Sequence, residues 1–207
     1  LVYFPIANWV FNAVRDDEGK VVNGGWLVHN FGLLDFAGGT AVEINSGAAA
    51  LALALVLGKR VGFAKGIHKP HNVPFVLLGA GLLWFGWFGF NAGAEFLGDM
   101  GGVGLITINT LGATAAGILG WMLVEKIKDG KATSVGAGSG AVTGLVAITP
   151  ACANLTPGWA LVLGLVAGAI SALAIELKFK LVNFIQLLEL VLILCLGQLG
   201  NNTILNI

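Results

Sequence analysis

The sequence predicts an all-α protein, a polytopic bundle of transmembrane helices. Of its 207 residues, 57% are hydrophobic and 11% are charged, whereas a soluble domain carries about 25% charged residues. The apolar residues fall into blocks close to the roughly 20 residues that a helix needs to cross a bilayer. Glycine contributes 32 residues, and small residues let membrane helices pack closely.

The apolar blocks predict the order of the elements. Residues 1–14 are too short to span a bilayer and are predicted to be the end of a helix that begins before Leu1. Residues 15–39 are polar and glycine-rich and are predicted to be a loop. The predicted spans follow in this order: Thr40–Leu57, Val73–Ala94, Val103–Val124, the short glycine-rich segment Ser134–Ile148 and Gly158–Ile175, with a last apolar block at Leu181–Leu199. Pro150 predicts a helix break between the last two spans.

The distribution of lysine and arginine predicts the orientation. Nine of the eleven basic residues lie in alternate loops, at positions 59, 60, 65, 69, 126, 128, 131, 178 and 180. Loops rich in lysine and arginine stay on the cytoplasmic side of a membrane. The loops at 59–71, 125–133 and 176–181 are therefore predicted to lie inside, which places Glu43 on the outer half of its helix.

Glu43 is the sharpest functional candidate in the sequence. An acidic group at the centre of a membrane helix costs roughly 2.5–3.5 kcal/mol on insertion scales, so such groups usually face a bundle interior or a water-filled path. One interpretation makes Glu43 an acid or base that lines a pore. The other makes it a buried carboxyl that is protonated or hydrogen-bonded to Asn45, Ser46 or a neighbouring helix.

Asp35 and Phe90 are further candidates at the same predicted side. Asp35 precedes the first span, where a short acidic side chain can cap helix N–H groups, and the cap is compatible with a role at a pore mouth. The aromatic residues between Trp84 and Phe90 are mostly expected to be packing or lipid-facing surface. Phe90 lies near the outer end, where an aromatic ring can hold a small ammonium-type cation.

Other kinds of site receive no support. His68 and His71 lie in an inner loop without a third ligand nearby, and His29 lies in the outer loop, so no metal site is predicted. Cys152 and Cys195 do not make a disulfide or metal framework. No cofactor is expected, and the sequence contains no P-loop, HExxH, GxSxG or dinucleotide-binding motif of an enzyme. The net charge of zero gives no basic surface for a nucleic acid.

Several segments resemble the ammonium transporter family (Amt/Mep/Rh) over about residues 1–180. They are LVYFPIANWVF, GGWLVHNFGLLDFAGGTAVEINSG, LGKRVGFAKGIHKPHNVP, GWFGFNAG and SGAVTGLVAITPACA. The resemblance implies an eleven-helix bundle of two inverted five-helix halves, usually a homotrimer. By this resemblance the chain is a fragment that holds the end of the fourth helix, the fifth to ninth helices and a tenth.

The resemblance also implies a function in the cell membrane. Family members recruit ammonium outside and remove a proton, and the neutral ammonia crosses a narrow apolar pore. The removal of the charge is physically reasonable because a bare cation in a dry pore carries a large desolvation cost. Methylammonium is a possible second substrate, and a cytosolic regulatory trimer of the PII type is a possible partner.

The resemblance assigns roles to individual positions. Asp35 is similar to the acidic residue of the outer site, and Phe90 to a phenylalanine of the outer gate. Phe11 stands where the recruiting ring is usually tryptophan, and Ala94 where serine is common. Glu43 stands where the first pore histidine is expected, as it does in some family members.

The last 27 residues depart from the family pattern. A motif like DVVGVH, with the second pore histidine, is expected after Lys180, but the sequence there contains no histidine. Residues 181–207 are therefore treated as a divergent apolar tail, which a frameshift or true divergence would explain. Besides transport, two alternatives stay open: an ammonium sensor of the same fold, and a fragment without activity.

Overall fold

The structure is a computed structural model that describes residues 1–58, 70–98 and 100–180. Within these residues, five helices are long and apolar enough to cross a membrane: Gly39–Leu57, Val73–Phe96, Val103–Asp129, Ser134–Ala151 and Pro157–Ile175. Each begins within one residue of its predicted start, so the predicted polytopic helical fold is confirmed. The apolar block Leu181–Leu199 and most of the basic loop after Leu57 lie outside the described residues.

The segment before the first span contains more structure than predicted. Helix α1 (Tyr3–Phe11) is followed by a two-stranded antiparallel hairpin of β1 (Ala13–Arg15) and β2 (Val21–Gly24), and then by the short helix α2 (Trp26–Phe31). The prediction of a loop over residues 15–39 is therefore wrong in part. Asp16 closes the hairpin because its Oδ1 accepts the N–H groups of Glu18 and Lys20, and Gly19 adopts the positive φ of 81° that the turn requires.

The spanning helices have distinct ends. A π-helical segment, Gly39–Ile44, runs directly into α3 (Asn45–Leu57). Helix α4 (Val73–Gly93) is followed by the 3₁₀ turn Ala94–Leu97, and α5 covers Val103–Asp129. Helix α6 (Ser134–Ile148) ends in the 3₁₀ turn Thr149–Ala151, and α7 covers Pro157–Lys180. The predicted end of α5 at Val124 is too early, because the polar residues that follow continue the helix beyond its apolar part.

Helix α5 packs between α6 and α7 and forms the centre of the fold. Close approach depends on glycine: a Cβ at Gly117 would lie 2.5 Å from the carbonyl oxygen of Gly140 in α6, and a Cβ at Gly164 in α7 would collide with the Ala113 carbonyl of α5. Small residues thus bring three backbones into contact, as expected for helices in a membrane.

Backbone contacts join the segments at one end of the bundle. The Phe36 N–H donates to the Pro150 carbonyl over 3.0 Å. The buried Asn109 amide of α5 donates to the carbonyls of Cys152 and Leu155 over 2.9 and 2.6 Å. The start of the first span and the break after α6 therefore lie together, at the end of α5 opposite its basic C-terminus. The orientation predicted from lysine and arginine places this end outside.

Candidate functional site

Asp35 caps the start of the first spanning helix. Its Oδ1 accepts the Gly38 N–H over 2.9 Å, and its Oδ2 accepts the Thr40 and Ala41 N–H groups over 2.7 and 3.2 Å. The capping interpretation of Asp35 is thus realised. Burial raises the pKa of the Asp35 carboxyl, and the backbone N–H groups of Thr40, Gly38, Ala41 and Gly39 oppose this shift because they favour the charged form.

Glu43 lies on the π-helical segment, within the membrane-spanning part of the chain. Both of its carboxylate oxygens are buried and have no hydrogen-bond partner among the described residues. The Ser46 hydroxyl donates to the backbone carbonyl of Glu43 over 2.8 Å rather than to its carboxylate. In the part of the chain that the structure describes, Glu43 is therefore an acid with free hydrogen-bonding capacity, and π-helical turns are frequent at functional sites.

An open cavity of about 770 Å³ brings Glu43 and Phe90 together. It lies between the π-helical segment, α4 and α6, and its wall is mostly apolar. The residues that matter for its chemistry are Glu43, Ser46, Trp87 and Phe90. The carboxylate and the two aromatic rings of this wall can attract a small cation. The rest of the wall is mostly apolar and solvates a charged group poorly.

The aromatic rings of this cavity are held in a fixed pair. Trp87 and Phe90 lie three residues apart on one face of α4, and their rings stack with centroids 5.4 Å apart and an interplanar angle of 24°. The indole N–H of Trp87 donates to the hydroxyl of Thr149 over 2.8 Å. Thr149 is fully buried, and its hydroxyl donates in turn to the Leu145 carbonyl.

Phe11 lies beside Gly38, whose N–H binds Asp35, and does not line the cavity. Its ring is 46% exposed at the end of α1, and a Cβ built on Gly38 would lie 3.7 Å from the Phe11 Cζ and 3.5 Å from a methyl of Val42. Val42 also lines the cavity that contains Glu43. The structure thus places Glu43 and Phe90 in the wall of one cavity and links Phe11 to Asp35 through Gly38.

The histidines take no part in this arrangement. His29 is exposed, and its ring contacts the side chain of Asn30 over 2.9 Å. His71 is exposed as well, and His68 lies outside the described residues. In the described ranges, no group of three histidine, cysteine or acidic side chains is arranged to hold a metal ion.

Comparison with known protein families identifies the family of the chain. A family model described as Ammonium Transporter Family matches residues 1–184. The chain belongs to the ammonium transporter family. The resemblance seen in the sequence motifs is therefore confirmed, and with it the multi-pass location in a membrane.

Curated members of the family are similar over a similar stretch. The ammonium transporter of Mycobacterium tuberculosis is 54% identical over 180 residues, which cover 87% of this chain and 37% of that protein. Ammonium transporter Amt1 of Archaeoglobus fulgidus is 44% identical over 179 residues, which cover 86% of this chain and 42% of that protein. The chain thus spans about two fifths of the length of these ammonium transporters.

Solved structures of the family have the same fold. The crystal structure of Candida albicans Mep2 matches with a TM-score of 0.77 and 37% identity, over 97% of this chain and 42% of that chain. A structure called Sensor Amt Protein matches with a TM-score of 0.71 and 28% identity, over 89% of this chain and 47% of that chain.

Two residues of the site, Trp87 and Thr149, are not predicted from the sequence. Trp87 belongs to an aromatic run that predicts packing, and only its spacing of three from Phe90 indicates a shared face of the helix. Thr149 is recognised only as part of the break at Pro150. Their contact joins residues 62 positions apart, and no local pattern in a single sequence reports such a pairing.

Proposed function

We propose that the full-length protein carries ammonium or ammonia across the cell membrane, with Glu43 handling a proton in the pathway. The observation that supports this most strongly is the Glu43 carboxylate, which is unpaired among the described residues and lines the same apolar cavity as Phe90 and Trp87. A carboxylate in such a place can accept the proton that ammonium must lose, because the apolar wall favours a neutral species.

Asp35 contributes electrostatics and structure at the outer end. Its carboxylate is bound by three backbone N–H groups, which leaves little capacity for direct contact with a substrate. A buried negative charge at this position still attracts a cation, since its field is weakly screened inside the protein. The Asp35 charge raises the local concentration of ammonium, and the N–H groups keep the carboxylate in place.

Phe11 and Phe90 supply the aromatic surfaces for recruitment and gating. The exposed side chain of Phe11 is accessible to a cation at the outer surface, beside Gly38 of the loop that Asp35 binds. Phe90 lies inside the cavity and is stacked on Trp87. A cation that has reached Phe11 meets Phe90 before the apolar wall around Glu43. The phenylalanine at position 11 binds a cation less strongly than a tryptophan would.

The proposal extends to assembly and regulation, on the basis of the family to which the chain belongs. The proposed functional unit is a homotrimer, with a PII-type protein as a possible cytosolic partner and methylammonium as a possible second substrate. A mass measurement of the full-length protein in detergent tests the trimer directly: a mass of three chains is expected, and a monomer or dimer contradicts it.

The test of transport uses the full-length protein in cells that lack their own ammonium transporters. The protein is expected to restore growth on low ammonium and uptake of labelled methylammonium. Glu43→Leu is expected to change the pH dependence or the ion selectivity of uptake. Ser46→Ala is the matched control, because Ser46 lines the same cavity but its hydroxyl donates to the backbone carbonyl of Glu43 and not to the carboxylate. An unaltered profile for Glu43→Leu would remove this residue from the mechanism.

The second candidate function is an ammonium sensor. It is favoured by the similarity to the structure called Sensor Amt Protein, with a TM-score of 0.71. Purified full-length protein in liposomes separates the two functions. A transporter moves ammonium or its proton equivalent into the lumen, whereas a sensor binds ammonium without flux.

A further inference from the structure

We infer that Thr149 is a positioning residue that fixes the aromatic gate through Trp87. The inference rests on the proposed function, because it assumes that Phe90 acts in recruitment or gating. Thr149 itself does not line the cavity. Its side chain acts through a hydrogen bond to Trp87, and the ring of Trp87 is stacked on the ring of Phe90.

The hydroxyl of Thr149 takes part in two hydrogen bonds, one as donor and one as acceptor. It is a single group with one donor and two acceptor positions, and it donates its hydrogen to the Leu145 carbonyl over 2.8 Å. Its lone pairs then point away from its own helix and accept the Trp87 N–H over 2.8 Å. Thr149 has no exposed surface, so the acceptor of this hydrogen bond lies inside the protein.

The hydrogen bond from Trp87 to Thr149 also affects Phe90, because the two rings are stacked. The stacked rings of Trp87 and Phe90 share one face of α4, so a rotation of the indole changes the surface on which the phenyl ring lies. A tryptophan fixed only by packing can change its side-chain rotamer, whereas one held by a buried hydrogen bond has a single preferred orientation. The bond to Thr149 therefore sets the position of the phenyl ring in the cavity wall.

The turn that contains Thr149 also contacts the segment next to Asp35. Pro150, which follows Thr149, accepts the Phe36 N–H over 3.0 Å, and Phe36 directly follows Asp35. Two consecutive residues thus contact the aromatic pair on one side and the capped start of the first span on the other. A rigid turn at this place would fix the distance between the Asp35 charge, which attracts a cation, and the gate residue Phe90.

Trp84 provides a matched comparison on the same helix. It lies one turn before Trp87, and its indole N–H is buried without a hydrogen-bond partner among the described residues. A change of either tryptophan to phenylalanine removes an indole N–H from α4. Only the change at position 87 removes one that is bonded to Thr149.

The transport test measures methylammonium uptake by the full-length protein at several substrate concentrations. Thr149→Val, which keeps the shape and removes the hydroxyl, is expected to raise KM roughly fivefold, the effect of one ordinary buried hydrogen bond on an equilibrium constant. Thr149→Ser is expected to restore the parent KM. Trp84→Phe is expected to leave it unchanged. In a Trp87→Phe background, Thr149→Val is expected to add little, because the bond is already absent.

A spectroscopic test keeps the inference independent of transport. The protein is labelled with 5-fluorotryptophan, and the ¹⁹F resonance of Trp87 is identified by its loss in Trp87→Phe. We expect this resonance to shift or broaden in Thr149→Val and to return in Thr149→Ser. If the full-length protein does not transport but the resonance responds in this way, the proposed function fails and the positioning contact stands. An unmoved resonance, or equal KM values for Thr149→Val and the parent, overturns the inference.

Discussion

An alanine at Gly39 would disturb the contact between the first spanning helix and the turn after α6. A Cβ at this position would lie 2.5 Å from Cδ and 2.9 Å from Cγ of Pro150. Carbon atoms in ordinary contact are about 3.5–4.0 Å apart, so the two segments would have to separate by about 1 Å. The proline side chain is closed in a ring onto the backbone nitrogen and cannot rotate away as a flexible side chain would.

The expected cost follows from two contributions. Overpacking of a close contact destabilises a protein by about 1–3 kcal/mol. The hydrogen bond from Phe36 N–H to the Pro150 carbonyl, 3.0 Å long, lies across the same contact, and its loss costs about 1 kcal/mol. Gly39→Ala should therefore lower the free energy of unfolding by about 2–4 kcal/mol.

The assay combines denaturant unfolding of the full-length protein with hydrogen exchange at the Phe36 amide. Exchange should become about tenfold faster or more, since a factor of ten corresponds to about 1.4 kcal/mol. Gly104→Ala is the matched control: among the described residues, no atom other than those of its chain neighbours and its own helix backbone lies within 4 Å of its Cβ position, and alanine favours a helix over glycine by about 1 kcal/mol. Parent-like stability and Phe36 exchange in Gly39→Ala would refute the described packing.

Three further outcomes are expected. Because burial raises the pKa of Asp35, its contribution to stability is complete below about pH 4 and is lost as pH rises through the raised value. The stability of the parent relative to Asp35→Asn should fall over that window, and a difference independent of pH would contradict it. Thr133→Ala should cost about 0.5–2 kcal/mol in denaturant unfolding, since its hydroxyl caps the Gly136 N–H over 2.9 Å, while Thr133→Ser keeps the cap. Gly164→Ala should impair folding yield, measured by size-exclusion chromatography, because its methyl group collides with the Ala113 backbone.

The sequence predicts the spanning helices well because hydrophobic length is a local property. For the five predicted helices that lie in the described residues, the start agrees with the structure to within one residue. The hairpin at Ala13–Gly24 is missed, because three- and four-residue strands carry no hydrophobic period and only β-branched valines mark them. The extension of α5 to Asp129 is missed since its last turn is charged, and a hydropathy pattern ends where the membrane ends rather than where the helix ends.

The candidate site is predictable only in part, for a different reason. Asp35, Glu43 and Phe90 stand out because charge, burial and position are visible in the chain itself. Their grouping depends on contacts between distant segments, such as Phe36 with Pro150 and Trp87 with Thr149. These contacts depend on how distant segments pack against each other. Gly39, which lets the first span approach Pro150, looks the same in the sequence as any other small residue.

Asp35 and Glu43 differ in how many hydrogen-bond acceptor positions remain free to bind a substrate. A carboxylate has about four acceptor positions, and three backbone N–H groups already bind Asp35, whereas neither oxygen of Glu43 has a partner among the described residues. If both acids acted by direct contact, their replacement would alter transport in the same way. Under the proposed function, a change at Asp35 acts on the field and geometry of the outer end and affects apparent affinity, while a change at Glu43 acts on proton handling and affects pH dependence. Separate signatures for the two variants in the uptake assay therefore follow from their hydrogen bonding alone.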